Sequence, residues 1–260
     1  MRLTVLGSSA SYAAAGQACS GYLVEHDGTA VLLDCGNGVL AHLVSVVDPL
    51  ALRGVFVSHS HPDHFLDIYS LQALLRYAPQ GPAAPLEVYL PDGLFERMTC
   101  LLSDRGVIEF AAAFNPHALA DRVPVSVGPF TIEPRLVDHT DHSFAFRVTD
   151  GTAALCYTAD TAYGPRALEA ATDADVLLAE ATLPEEYAGI APHMTASEAG
   201  ALAREAGVHT LVLTHVWPTN DRERMADDAH ETFGGRVVVA REFDVFEIGP
   251  KGPAREERTL

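Results

Sequence analysis

The sequence predicts an α/β fold in which two packed β-sheets carry helices on their outer sides. Three observations lead there. Short apolar runs bounded by Gly, Pro or Asp alternate with helix-period patterns throughout. Strand-rich stretches occur in both halves, each accompanied by helices, which calls for stacked layers around a shared core. No linker divides the halves: Pro79-Gln80-Gly81-Pro82-Ala83-Ala84-Pro85 reads as a loop, since strand and helix patterns of the same character resume after it.

In chain order, strands are expected over residues 3–6, 22–25, 30–34, 55–57 and 86–89. Later strands are expected over 130–137, 144–149, 153–158, 176–179, 210–213, 237–239 and 244–248. A helix follows residue 65, from the spacing of Leu66, Tyr69, Leu74 and Leu75. A second covers 196–206, because Thr195-Ala196-Ser197-Glu198 fits a capping box and Gly207 stops it. A third covers 221–233 and ends at Gly234-Gly235. Residues 103–124 look irregular. Residues 1–250 form one domain, and the polar residues 251–260 are expected to be a frayed tail.

The 260 residues, 48% of them hydrophobic, supply a substantial core. No stretch has the length of uncharged apolar sequence that crosses a bilayer. The opening Met1-Arg2-Leu3-Thr4-Val5-Leu6 runs straight into Gly7-Ser8-Ser9 and reads as a first strand, not a signal peptide. Cys19, Cys35, Cys100 and Cys156 form no Cys-x-x-Cys pair, so reduced thiols and a cytoplasmic location are expected. The 17 basic and 35 acidic side chains give a formal charge of −18, which argues against a broad nucleic-acid face. A small phosphate substrate stays compatible with that charge, because bound cations dominate their local field. A homodimer is the base-rate expectation for such a chain.

The chemistry is concentrated in Ser58-His59-Ser60-His61-Pro62-Asp63-His64, straight after the apolar run Gly54-Val55-Phe56-Val57. Residues two apart in an extended chain point the same way, so His59 and His61 converge on one ion. Pro62 suits the first turn of a helix, which swings Asp63 and His64 toward a second. Three further donors stand at strand ends: His139 after Leu136-Val137-Asp138, Asp160 after Tyr157-Thr158-Ala159, and His215 after Leu211-Val212-Leu213-Thr214. Strand ends are where α/β sheets place their sites. Together the set fits a dinuclear centre, with His59, His61 and His139 on one ion, Asp63, His64 and His215 on the other, and Asp160 bridging. Imidazole and carboxylate donors suit zinc first, with manganese and iron(II) as alternatives.

The His-x-His-x-Asp-His segment and the ordered strand-end ligands resemble the metallo-β-lactamase superfamily. The likeness runs from Val5-Leu6-Gly7-Ser8-Ser9 through Leu33-Asp34-Cys35-Gly36-Asn37-Gly38 to Leu213-Thr214-His215. It implies an αββα sandwich, two mixed β-sheets flanked by helices, with the metals at one edge. The Asp63–His64 pair and the lack of a cysteine ligand point to the phosphodiesterase branch. There, His193-Met194-Thr195-Ala196-Ser197-Glu198-Ala199-Gly200 looks like the His-Leu-Thr/Ser element of ribonuclease Z and its compact relatives. His142 competes with His139 for the third ligand position; the family frame favours His139 and leaves His142 at the rim.

On this resemblance Asp63 is a ligand that also takes a proton from a metal-bridging water. His193 is the candidate general acid, and Glu180 is the residue that orients it or a ligand. Ribonuclease Z carries a transfer-RNA-gripping arm between its third histidine and bridging aspartate. Here that interval holds only a tight hairpin, so a small phosphodiester such as a 3′,5′-cyclic nucleotide is expected, as in the compact atypical cyclic-nucleotide phosphodiesterases. A ribonuclease Z-like tRNA 3′-processing endonuclease, a lactone or thioester hydrolase, and a non-catalytic metal-binding protein are the alternatives. Trp217, Tyr12, Ser9, Phe110 and Phe114 are rim candidates.

Overall fold

The computed structural model describes residues 1–79 and 81–250 and the backbone of 252–258. Six of the twelve strands expected from the sequence belong to one half of a two-sheet stack and six to the second, as follows. The first sheet is built from β1 (Arg2–Gly7), β2 (Gly21–His26), β3 (Thr29–Leu33), β4 (Leu52–Phe56), β5 (Leu86–Leu90) and β6 (Phe114–Ala118). Two late strands, β14 (Asp244–Gly249) and β15 (Gly252–Arg258), complete it in the order β15-β14-β1-β2-β3-β4-β5-β6. The second contains β7 (Val125–Val127), β8 (Phe130–Leu136), β9 (Phe144–Thr149), β10 (Ala154–Tyr157), β11 (Val176–Glu180), β12 (Thr210–Thr214) and β13 (Arg236–Val239), in the order β13-β12-β11-β10-β9-β8-β7. Both are mixed: β3, β4, β5 and β6 run parallel, as do β10 to β13, while β1–β2–β3 and β8–β9–β10 are antiparallel.

Strand residues alternate between the two faces with period two, and here both faces are covered, so the strands read as continuous apolar runs. Leu3, Val5, Val31, Leu33 and Phe56 meet Phe130, Ile132, Phe146, Leu155, Leu178 and Val212 between the sheets. The neighbouring Leu32, Val55 and Val57 face α1 (Val39–Val46), α2 (Asp67–Tyr77), α3 (Leu94–Thr99) and α4 (Asp104–Ala111). On the other side Leu177, Ala179, Leu211 and Leu213 face α5 (Pro165–Ala171), α6 (Ala196–Glu205) and α7 (Arg222–Phe233). Each such leucine, isoleucine, valine or phenylalanine, fully buried, contributes roughly 1.5–3 kcal/mol of transfer free energy. Among the described residues no helix is long and apolar enough to cross a membrane.

The expected helices form with their expected ends. Thr195 and Glu198 close a reciprocal capping box on α6, and Asp221 caps α7, which stops at the left-handed Gly234. In α2 the buried face is Ile68, Leu71 and Leu75, while Leu66 is exposed. Residues 103–124 are not irregular: they contain α4 and β6. Asn115, Pro116 and His117 break the apolar pattern there because β6 is an edge strand, where proline and polar residues are tolerated. Phe110 and Phe114 are consequently core residues packed against each other, not rim residues. Residues 252–258, expected as tail, run antiparallel to β14; residues 251, 259 and 260 lie outside the described residues.

Candidate metal centre

The carboxyl ends of β3, β4, β8, β10, β11 and β12 emerge at one edge of the sandwich. At three of these ends a non-glycine residue takes the left-handed conformation: Asp34 after β3 (φ 57°), Ala159 after β10 (φ 51°) and His215 after β12 (φ 50°). Such a residue costs on the order of 1 kcal/mol. Its effect is to turn the chain abruptly across the sheet edge, so Asp34, Asp160 and His215 point inward instead of following their strands.

His59, His61, His139 and Asp160 form one group of potential ligand atoms, and Asp63, His64 and His215 a second; within each group the atoms lie within 4.8 Å of one another. In the first, His61 Nδ1 is 3.0 Å from His59 Nε2 and 3.0 Å from His139 Nε2. Their outward nitrogens fix which atoms carry hydrogen. His139 Nδ1 donates to the Pro192 carbonyl at 3.0 Å. Ser58 Oγ gives its hydrogen to Asp34 Oδ2 at 2.8 Å, so it accepts from His59 Nδ1 at 3.0 Å. Neutral imidazole has one donor and one lone pair. The nitrogens of His59 and His139 facing His61 therefore present lone pairs, the form in which an imidazole ligates a metal ion.

The second group repeats the logic. His64 Nδ1 donates to Asp34 Oδ2 at 2.7 Å. Thr182 Oγ1 gives its hydrogen to Glu180 Oε2 at 2.7 Å and accepts from His215 Nδ1 at 2.8 Å. The inward Nε2 atoms of His64 and His215 stand 3.2 Å apart. Asp63 Oδ2 is 3.2 Å from His215 Nε2 and is held by the Ser11 N–H at 2.8 Å. Between the groups lies Asp160, whose Oδ2 is 3.6 Å from His59 Nε2 and whose Oδ1 is 3.3 Å from His64 Nε2. Asp160 is buried, yet Oδ1 has no hydrogen-bond partner among the described residues. An orphan carboxylate oxygen facing converging lone pairs fits a cation.

Two buried carboxylates organise these donors from behind. Asp34 holds His64 directly and His59 through Ser58, and also accepts from Tyr157 Oη at 2.7 Å. Its loop clamps the histidine segment: Cys35 N donates to His64 O at 2.8 Å and Asp67 N to Cys35 O at 3.0 Å. At Gly36 a Cβ would stand 2.0 Å from Asp63 O, so only glycine permits this approach. On the other sheet Glu180 accepts from Thr161 N, Thr182 N and Met194 N, holds His215 through Thr182, and takes His193 Nδ1 at 2.8 Å.

The local field follows. Burial disfavours charge on Asp63, but the His215 hydrogen bond and the neighbouring His64 hold it well below the usual carboxylate range. Burial opposes charge on Asp160 too, and the surrounding His215, His64 and His59 overcome it, lowering its pKa strongly. Burial and adjacent imidazoles push His59 well below its ordinary value. His64 goes the other way: burial resists, but Asp160 and Asp34 raise it well above. For His193 burial likewise resists, while Glu180 and then Asp160 lift it to about 9. A field that favours a proton on His64 favours a divalent cation in its place.

All of the residues expected as ligands are brought together, and so are His193 and Glu180 beside them. His142 is exposed, whereas His139 is in the cluster. Of the other rim candidates, Ser9 is buried, Trp217 is half-buried and Tyr12 is exposed. Sequence reasoning did not assign a role to Asp34, Ser58 or Thr182. The signal for Asp34 was present, as an acid at the end of an apolar strand followed by Cys35-Gly36.

The fold and this donor set define a metal-dependent hydrolase. A family model described as the beta-lactamase superfamily domain matches residues 29–216, and the chain belongs to the metallo-β-lactamase superfamily. The uncharacterized protein Rv1339 of Mycobacterium tuberculosis is 36% identical over 259 residues, covering 97% of this chain and 94% of its own. The probable metallo-hydrolase YhfI of Bacillus subtilis is 33% identical over 254 residues, covering 95% and 100%. Its crystal structure superposes with a TM-score of 0.85 at 32% identity, over 95% of this chain and 99% of that one. Ribonuclease Z of Kineococcus radiotolerans is 27% identical over 317 aligned positions, covering 97% and 98%.

Proposed function

We propose that the centre holds two divalent cations, zinc by default, and hydrolyses a small phosphodiester such as a 3′,5′-cyclic nucleotide. His59, His61 and His139 would hold one ion and Asp63, His64 and His215 the other, with Asp160 shared. Divalent cations at such a centre lower the pKa of a water and neutralise phosphate oxygens during in-line displacement.

The observation that carries the reading is His193. Glu180 fixes its Nδ1–H, leaving Nε2 as the nitrogen free to donate a proton, and its carboxylate favours the protonated ring. A charged imidazole next to a phosphate serves an alkoxide leaving group, which cannot depart without a proton. Asp63, whose Oδ2 is restrained by the Ser11 N–H, would take the proton lost by the attacking water.

Substrate size follows from the hairpin. β9 and β10 are joined by residues 150–153, so nothing projects between His139 and Asp160. The 317 aligned positions shared with the ribonuclease Z of Kineococcus, against 260 residues here, require long gaps in this chain. A charge of −18 also disfavours a large polyanion.

The test is hydrolysis of cyclic AMP, bis(p-nitrophenyl) phosphate and a precursor transfer RNA, with added zinc or manganese, by wild type and Asp63→Ala. Metal-dependent turnover of cyclic AMP that the substitution abolishes is expected. Cleavage of the RNA alone would instead assign a ribonuclease Z-like activity. Silence on all three, with turnover of a lactone or thioester, would assign carboxyl-ester chemistry.

A further inference from the structure

We propose that the hollow beside His61, walled by Phe65, Leu66, Tyr69, Leu101 and Arg97, is the subsite that receives the base of a nucleotide substrate. This rests on the phosphodiester reading above and adds to it the half of the substrate that the metal cluster does not touch.

The hollow has a volume of about 230 Å³ and lies between the histidine segment, the start of α2, and α3. Ser60 and Pro62, the two chain neighbours of His61, form part of its wall. A group seated there touches both chain neighbours of His61, while His61 itself is not part of the wall. The volume is below the ~300–1,000 Å³ of a site that encloses a whole drug-sized ligand. It suits one flat fragment of a substrate whose other end is held elsewhere.

Its chemistry is selective. The walls are apolar and aromatic, and two of them stand open to solvent: Leu66 is 39% exposed and Leu101 82%. Leu101, two residues past α3, extends the apolar wall toward solvent. Tyr69 is fixed by its hydroxyl, which donates to Met98 O at 2.7 Å, so its ring is a rigid wall. Arg97 is the single charged lining residue. Its Nε donates to Gly93 O at 3.2 Å, and among the described residues no carboxylate lies within ion-pair distance of its guanidinium. A planar heteroaromatic ring with acceptor atoms at its edge satisfies both features. Its faces pack on Tyr69 and the leucines, and its ring nitrogens or carbonyls accept from Arg97.

Other hollows lack this match. One of about 190 Å³ at the starts of α6 and α7 carries Glu185, Glu186 and Asp228, which repel a phosphodiester. One of about 510 Å³ lies beside Met1, His26 and Thr29, at the amino end of β3, away from the edge that bears the cluster.

The experiment compares cyclic AMP with the same cyclic phosphate lacking its base, 1-deoxyribose 3′,5′-cyclic phosphate, followed by phosphorus NMR. Wild type, Arg97→Ala and Leu101→Asp are assayed, and saturation-transfer NMR monitors adenosine contact with each protein. Wild type should prefer cyclic AMP, and the ratio of kcat/KM values should fall about tenfold in each variant, through KM, as expected for a packed base. Adenosine should receive saturation from wild type and lose it in both variants. An unchanged ratio in both variants, with adenosine contact undiminished or absent throughout, would overturn the subsite. Adenosine contact that the variants abolish, without turnover of either cyclic phosphate, would support the subsite while overturning the phosphodiester reading alone.

Discussion

Asp34 and Glu180 do the same physical job on opposite sheets, yet they organise different parts of the site. Each is a buried carboxylate at the end of a strand, with its oxygens saturated by donors. Asp34 serves metal-facing histidines alone, His64 directly and His59 through the Ser58 hydroxyl. Glu180 serves one metal-facing histidine, His215 through Thr182, and one histidine outside the ligand set, His193. On the proposed roles, metal retention draws on both anchors, whereas proton delivery rests on Glu180 alone. The first sheet carries a holding half, and the second couples holding to chemistry through one carboxylate.

The largest expected effect is on the Glu180 side. His193→Ala should lower kcat on cyclic AMP by about 10²–10⁴-fold, the range of a lost general acid. On bis(p-nitrophenyl) phosphate, whose nitrophenolate leaves unaided, the loss should be about tenfold or less. Equal losses on the two substrates would remove the acid role. Next, Asp34→Ala should weaken metal binding by ~10–100-fold, read by competition with a chelator, because the partner of a ligating histidine is lost. Glu180→Gln should retain metal better than Asp34→Ala while losing most of its rate on cyclic AMP. The reverse pattern would collapse the distinction between the anchors.

Thr182→Val removes the hydroxyl that links Glu180 to His215, and the affinity of the ion that His215 would hold should fall about tenfold, the lower end for such a partner. Calorimetric titration resolves this as a change in one binding step. The smallest effect is on the frame: Thr195→Ala removes the α6 cap and should cost about 1 kcal/mol in chemical denaturation.

What could be read from the sequence followed how local each feature is. The holding half was legible because His59 to His64 lie within six residues and Pro62 announces the turn that splits them between two groups of donors. The strand-end donors were legible as positions. Their inward aim depends on left-handed backbone at Ala159 and His215, which alanine and histidine do not signal. Asp34, Ser58 and Thr182 escaped because a residue that acts through another has no spacing rule; its partner lies across the fold. Elements buried on both faces were read well from continuous apolar runs. β6 was not, because an edge strand carrying Pro116 and polar neighbours looks like a loop. α5 was missed because seven residues rich in alanine show little helical contrast.

The central claim is that seven side chains at the sandwich edge hold two divalent cations. The most direct measurement is calorimetric titration of chelator-stripped protein with zinc, alongside His59→Ala and His64→Ala and with cyclic AMP turnover followed at each metal increment. Two ions per wild-type chain, one per chain in each variant, and turnover that requires both would bear the account out. A single ion in wild type, or full turnover of cyclic AMP by the stripped protein, would contradict it.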